Sequence, residues 1–236
     1  MERQLKLLAV VTLVLTALIL VAQPARAEWF ADLYVGGAFT QSHNVDTKLL
    51  GVTLSFKDVE FDKSFAVGGR AGYWFDALPF LGLGLDVSHF RPDISSQTAP
   101  FSIQGVTGTA TLSDIDLRVI GISLDLMLRL PLVKSADFPN GRLQPYASVG
   151  PAIFISKAED TTNFAPPANQ SDTDTSVGFK VGAGVTFLFT KNIGIFGEYR
   201  YTHFSPEFEF TTAGVKSKTE TDINTHHLLV GASFRF

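Results

Sequence analysis

Residues 176–189 read SVGFKVGAGVTFLF, and they decide the fold because their polarity alternates with a period of two. One face carries only apolar residues, namely Val177, Phe179, Val181, Ala183, Val185 and Phe187. The other face carries Lys180, Thr186 and three glycines. A period of two is that of a β-strand, so the stretch predicts a strand with one apolar and one polar face.

Seven other stretches alternate in a similar way, which gives eight predicted strands in an all-β chain. They are Leu33–Thr40, Ser64–Phe75, Phe80–Arg91, Asp114–Leu130, Leu143–Ile155, Ile193–His203 and a last run that ends at Leu228–Phe236. Twenty-one phenylalanines and 20 glycines are divided between the two faces, with phenylalanine assigned mainly to outer faces and rims.

The polar faces of these strands mix glycine with charge, and the apolar faces are poor in charge. A soluble barrel buries its apolar face and keeps its charges outside. An apolar outer face with a polar interior is what a membrane requires. Inward glycines suit a narrow lumen. The pattern therefore predicts an eight-stranded antiparallel up-and-down transmembrane β-barrel.

The connections between the predicted strands alternate in length, as in outer-membrane barrels with long extracellular loops and short periplasmic turns. The long ones are Gln41–Lys63, Pro92–Ser113, Lys157–Thr175 and Ser205–Thr221. The shorter ones are Asp76–Pro79, Pro131–Arg142 and Thr190–Asn192.

The first segment has the features of a secretory signal. Basic residues precede the apolar run 7–22, and Ala25-Arg26-Ala27 is a cleavage site of the A-x-A type. We expect residues 1–27 to be a cleaved signal peptide and residues 28–236 to be one barrel domain exported through the periplasm. A net charge of −4 without a basic run argues against a nucleic-acid partner. The absence of cysteine excludes thiolate chemistry.

Three short motifs resemble the OmpA-like transmembrane-barrel and opacity-protein family. They are Leu33–Ala38, the pentapeptide Glu198–Thr202 and the closing Leu228–Phe236. The resemblance implies an eight-stranded barrel in a Gram-negative outer membrane, in contact with lipid and lipopolysaccharide, without a cofactor. It also implies a signal for the barrel-assembly machinery at alternate C-terminal positions, namely Val230, Ala232, Phe234 and Phe236. Family members with a peptidoglycan-binding domain continue after the barrel, so we do not expect peptidoglycan anchoring.

Strand parity directs a nearly balanced set of charges into the lumen. These are Arg70, Asp86, Asp125, Arg129, Lys180, Glu198, Arg200 and Arg235. Unpaired buried charges are costly, so we expect a salt-bridged plug around Glu198 and Arg200. The alternative is a small-solute pore gated by rearrangement of these pairs.

The run Asp114–Leu130 changes parity, since Asp116 and Arg118 lie on one parity and Ser123, Asp125 and Arg129 on the other. We predict a β-bulge near Val119–Gly121, which would turn all these side chains to the lumen. The alternative is that the upper part of the strand stands clear of the membrane.

His203 and Ser205 share an outward face, and Glu207, Glu209, Glu220 or Asp222 could complete a Ser–His–acid set. Outer-membrane lipid A deacylases carry a similar His-x-Ser, but Pro206 stands where they have asparagine. We expect an aromatic interface belt here rather than catalysis. His226 and His227 point to opposite faces of a strand and cannot chelate one metal ion together.

The first two long loops contain stretches that alternate like strands, Leu50–Phe56 and Phe101–Val106. They predict a sheet above the membrane with an edge open to β-augmentation by a foreign strand. The predicted function is therefore structural or adhesin-like, with long loops offered to an extracellular partner. The runners-up are a lipid A-modifying acyl hydrolase and a porin-like pore.

Overall fold

The computed structural model describes residues 28–49, 52–112, 114–160, 171–212 and 215–236. Residues 1–27, predicted as the signal peptide, lie outside the described part. The strands in chain order are β1 Glu28–Thr40, β2 His43–Leu49, β3 Val52–Val59, β4 Ser64–Trp74, β5 Leu81–Phe90, β6 Gln97–Ile103, β7 Val106–Leu112, β8 Ile115–Arg129, β9 Leu143–Asp160, β10 Ser171–Leu188, β11 Ile193–Phe204, β12 Glu207–Thr212, β13 Val215–Thr221 and β14 Ile223–Arg235.

Eight antiparallel strands form a closed barrel in the order β1-β14-β11-β10-β9-β8-β5-β4, which confirms the predicted fold. β1 closes the barrel against β14, with Leu33 opposite Ala232. No helix in the described part of the chain is long and apolar enough to cross a membrane.

The outer wall of the barrel exposes large apolar side chains, such as Phe65 at 84% and Val177 at 70%. On β1 this surface extends from Trp29 to Phe39. Ten residues span about 33 Å of strand, or about 25 Å along the axis of a barrel whose strands tilt by about 40°. That height matches the apolar band of an outer-membrane barrel.

The predicted bulge near Val119–Gly121 is wrong. β8 pairs with β5 and with β9 without a register shift. Asp116 and Arg118 therefore point outward, and Arg118 forms an ion pair with Glu159 at 3.6 Å. Leu117 and Val119 point inward and are buried. The parity of the strand is constant, but its polarity inverts toward the end with the long connections, here called the loop end.

At the loop end, three long connections form a second sheet of six strands in the order β12-β13-β2-β3-β6-β7. The predicted stretch at Leu50–Phe56 corresponds to β3, although Leu50 and Gly51 lie outside the described residues. The stretch at Phe101–Val106 is not one strand. Gln104 and Gly105 have φ of 47° and 85° and form a two-residue hairpin turn between β6 and β7.

Candidate functional site: the barrel interior and the loop end

A network of ion pairs crosses the centre of the barrel. Arg70 binds Asp32 at 2.8 Å and Glu198 at 3.0 Å. Arg200 binds the other oxygen of Glu198 at 2.7 Å and Asp86 at 3.1 Å. All five side chains are at least 95% buried. Glu198 thus joins two guanidinium groups, which is the arrangement that a buried carboxylate requires.

Two tyrosines and a lysine complete this central network. The Tyr34 hydroxyl donates to Asp86 at 2.9 Å, and the Tyr146 hydroxyl donates to Glu198 at 2.6 Å. Lys180 contacts Asp125 at 2.6 Å and Asp86 at 3.1 Å. The two arginines belong to β4 and β11, and the carboxylates that bind them come from β1, β5 and β11, so the network ties opposite walls together.

A second group of charges closes the turn end of the barrel, where the short connections lie. Glu28 accepts hydrogen bonds from Arg129 at 2.7 and 3.0 Å and lies 3.5 Å from Arg235. The Arg129 guanidinium also packs 4.3 Å from the Trp74 ring centroid. The gap between Asp32, Arg129 and Arg235 does not admit a water-sized sphere.

All eight charges that parity directs inward are buried in the structure. The five cations face five carboxylates, since Glu28 and Asp32 join the three predicted acids. Glu28, Asp32, Tyr34 and Tyr146 were not among the predicted lumen residues. Their inward direction could have been predicted from strand parity, because on β1 and β9 they alternate with outward residues such as Leu33 and Val149.

An aromatic layer fills the interior above the charges, toward the loop end. Phe154 stacks on Phe204 with ring centroids 4.1 Å apart, and Phe90 contacts Phe204 and His227 at 6.5 and 4.9 Å. The three phenylalanines are at most 1% exposed. The assignment of phenylalanine mainly to outer faces and rims therefore misses these inward rings.

His203, Ser205 and Glu220 do not form a relay. His203 Nδ1 lies 2.6 Å from Asn224 Oδ1, and the Ser205 hydroxyl donates to Asp222 at 2.5 Å. Glu220 instead accepts a hydrogen bond from Lys48 at 2.8 Å, and this contact raises the pKa of the Lys48 ammonium. The geometry offers no base for the Ser205 hydroxyl other than a carboxylate, so it provides no positive support for hydrolysis.

His226 and His227 lie on opposite faces of β14. His226 bonds Tyr199 and Gln41 on the outer wall, and His227 bonds Thr202 in the lumen. The described residues contain no group of three or more His, Asp or Glu side chains suited to a metal ion. At the C-terminus, the predicted assembly-signal positions Val230, Ala232, Phe234 and Phe236 all belong to the outward parity of the last strand.

The two edges of the loop-end sheet differ. At β12, the backbone amides of Glu207 and Glu209 donate to the carboxylates of Asp174 and Asp172 on β10, at 3.3 and 2.7 Å. At the other edge, no described strand pairs with the outer side of β7. The β12 edge is thus covered by carboxylates. Among the described residues nothing pairs with the β7 edge, so it is open to a further strand.

Below the sheet, a cleft of about 1080 Å³ carries several carboxylates, including Asp46, Asp174 and Asp222. Near the junction of sheet and barrel, Asp93 accepts a hydrogen bond from the Leu117 amide at 2.8 Å. Partial burial raises the pKa of the Asp93 carboxyl. This contact ties the connection between β5 and β6 to barrel strand β8.

The chain resembles known proteins over nearly its whole length. The family model for the outer membrane protein beta-barrel domain matches residues 12–236. The structure of the outer membrane protein OprG from Pseudomonas aeruginosa is 13% identical, with a TM-score of 0.58 over 89% of this chain and 95% of OprG.

Two further solved structures are similar with lower scores. Neisserial surface protein A is 14% identical, with a TM-score of 0.48 over 90% of this chain and 98% of its own. Ail, the attachment invasion locus protein of Yersinia pestis, is 16% identical, with a TM-score of 0.40 over 88% and 99%. No curated protein sequence matches. At these identities the OprG likeness extends to the fold alone.

Proposed function

Because the chain belongs to the outer membrane protein beta-barrel domain family, we propose that it is a closed scaffold of the outer membrane that offers its loop-end sheet to extracellular partners. Long loops of such barrels are extracellular, so the sheet faces outward from the cell. The role is structural and adhesin-like. Export through the periplasm and delivery to the barrel-assembly machinery by the terminal Phe236 motif are parts of the same proposal.

The open edge of β7 is the observation that carries this proposal. Its sequence, VTGTATL, contains no charge and no proline. Natural edge strands are usually protected by charge, proline, a bulge or a covering element. An uncharged, exposed edge of seven residues suits an extended partner segment that adds one strand to the sheet.

The hairpin register shows which backbone groups are available for such pairing. Ile103 and Val106 flank the two-residue turn and form a hydrogen-bonded pair, so the pairing alternates along the hairpin. Thr107, Thr109 and Thr111 then direct their amides and carbonyls away from β6. Pro100, which has no amide to donate, sits opposite Thr109 in agreement with this alternation.

The interior favours a scaffold over the small-solute pore. Ten charges of balanced sign pair with one another, and the aromatic layer lies in series with them. An ion that entered this lumen would lose its water of hydration, and it would find no unpaired charge to replace that water.

Two variants at one position test recognition by the β7 edge. We expect extended peptides, selected from a random 12-residue phage library on protein in nanodiscs, to be rich in β-branched residues. They should bind Thr109→Ala within about twofold of the parent protein, because the amide remains. Thr109→Pro removes that amide and should weaken binding at least about tenfold.

Heat-modifiable migration on a gel verifies that both variants keep the barrel. Failure to enrich any peptide, or equal binding to Thr109→Pro, would overturn the edge as the recognition site.

A further inference from the structure

The lipid-facing wall of β11 and β14 contains a groove and a polar cluster that form one continuous stripe. The pairs Ile195–Ala232 and Gly197–Val230 lie in the groove, and Tyr199–Leu228, Tyr201–His226 and His203–Asn224 follow toward the loop end. All these side chains belong to the outward parity. We propose that this stripe is a binding site for one glycolipid of the outer leaflet, with an acyl chain in the groove and a sugar headgroup on the cluster.

The groove exists because small residues interrupt the apolar wall. It has a volume of about 750 Å³, and Leu33 and Val35 of β1 form one side. A Cβ added at Gly197 would meet only the Leu229 carbonyl oxygen, at 4.0 Å, so the floor of the groove is open. Its position on the outer wall, within the apolar band, exposes it to membrane lipid. A hydrocarbon chain is therefore the matching occupant.

The polar cluster lies at the upper boundary of the apolar band, since His226 pairs with Phe39 on β1. Asn224 is its centre. Asn224 Oδ1 accepts from Tyr201 at 2.7 Å and lies 2.6 Å from His203 Nδ1, and Asn224 Nδ2 contacts His43 Nε2. Beside it, the Tyr199 hydroxyl lies 2.6 Å from His226 Nδ1, and Gln41 contacts Nε2 of the same ring.

The composition of the cluster points to a sugar. It combines aromatic faces with amide and imidazole groups that both donate and accept hydrogen bonds, and it contains no lysine, arginine or carboxylate. Such groups suit hydroxyls and the apolar face of a sugar ring. A phosphate alone would favour guanidinium or ammonium partners. A site for an acyl chain next to a site for a sugar headgroup, both on the outer wall, matches lipid A, the glycolipid of the outer leaflet.

Native mass spectrometry of protein released from phosphatidylethanolamine nanodiscs tests the site. The nanodiscs contain added lipid A, dephosphorylated lipid A or phosphatidylglycerol. We expect one retained lipid A, equal retention of the dephosphorylated form and little retention of phosphatidylglycerol. Asn224→Ala should weaken retention about fivefold to tenfold through lost hydrogen bonds. Gly197→Leu, which fills the groove, should weaken it about as much.

Two matched variants on other parts of the wall serve as controls. His89→Leu removes an outward histidine of β5, and Ala147→Leu fills an outward small position of β9. Both should retain lipid A like the parent protein, and heat-modifiable migration verifies all four barrels.

Three outcomes would overturn the proposal. One is that phosphatidylglycerol is retained as well as lipid A. Another is that Asn224→Ala and Gly197→Leu both retain lipid A as the parent does. The third is that the groove holds a second barrel, which would appear as a dimer that Gly197→Leu dissociates.

Discussion

Glu198 is the residue on which the interior of the barrel most depends. Its two oxygens accept hydrogen bonds from Arg70, Arg200 and Tyr146, which project from three different strands. A buried ion pair adds little net stability over a well-packed apolar pair, but loss of one partner leaves an uncompensated charge. The effect of Glu198 on stability should therefore be seen mainly when it is removed, because its loss leaves buried guanidinium groups without their partner.

We expect Glu198→Gln to lower the free energy of unfolding by about 3–5 kcal/mol, because Arg70 and Arg200 then share fewer carboxylates in a buried site. Urea unfolding in lipid vesicles measures this change. Glu60→Gln, at an exposed position, provides the matched control and should change stability by less than about 0.5 kcal/mol. A loss below about 1 kcal/mol for Glu198→Gln would contradict the role of Glu198 as the joint of the network.

At this scale, parity gave the direction of eight charged side chains, because a strand fixes side-chain direction without reference to its neighbours, but Glu28 and Asp32 on β1 were not predicted. Parity could not predict partners. The contact of Arg70 with Asp32 follows from the pairing of β4 with β1, and that of Arg200 with Asp86 crosses the lumen. Such contacts depend on barrel closure and shear, which a single strand does not encode.

At the scale of elements, the seam between β1 and β14 depends on close backbone approaches at two glycines, Gly36 and Gly231, and the approach at Gly36 is the tighter. A Cβ at Gly36 would fall 1.9 Å from the Leu228 carbonyl oxygen, a distance that real atoms do not tolerate. The first and last strands meet here, so this glycine limits how tightly the barrel closes.

Gly36→Ala should destabilise the barrel by at least about 1–3 kcal/mol, the usual cost of overpacking. The measurement is the folded fraction in detergent by heat-modifiable migration at increasing urea. Gly197→Ala makes the same chemical change where a Cβ has 4.0 Å of clearance, and it should fold like the parent. Equal behaviour of the two variants would contradict a tight seam.

The β6–β7 hairpin depends on a different glycine. Gly105 has a φ of 85° with no atom within 4 Å of an added Cβ, so backbone strain is the sole cost of a side chain there. Gly105→Val should raise hydrogen exchange across Gln97–Leu112 by about tenfold and leave the barrel strands protected. Thr109→Val, a β-branched change without strain, should leave the exchange unchanged. If hydrogen exchange across Gln97–Leu112 in Gly105→Val were no faster than in the parent protein, the turn would not limit hairpin opening.

For the whole molecule, one physical rule explains both what the sequence predicted and what it did not. Within the membrane band, apolar side chains face lipid and charges face the lumen, and the eight predicted strands follow this pattern. Above the band, water surrounds the barrel, so Arg118 turns outward and Leu117 forms core. Because polar residues move from one parity to the other while the register stays constant, the sequence of β8 shows the same pattern that a β-bulge would produce. The segment Ser205–Thr221, predicted as a long connection, contains the hairpin of β12 and β13, and it joins the second sheet through the non-local pairing of β13 with β2.

The inversion divides the lumen into two barriers in series, the central charge network and the aromatic layer of Phe90, Phe154 and Phe204. Conduction requires both to open, so neither change alone should produce a pore. We expect no steady conductance in planar bilayers from the parent protein, from Glu198→Ala combined with Arg200→Ala, or from Phe154→Ala combined with Phe204→Ala. Removal of the pair Glu198–Arg200 keeps the network neutral, and removal of two rings leaves it intact.

The protein with all four substitutions should conduct steadily, because it loses charge pairs and aromatic packing along one path. Vesicle-bound, heat-modifiable protein in each preparation shows that a silent bilayer contains folded barrels. A steady open state in the parent protein would establish a pore. Conductance after loss of the Glu198–Arg200 pair alone would show that the aromatic layer is no barrier, and the charge network would then be a gate in its own right.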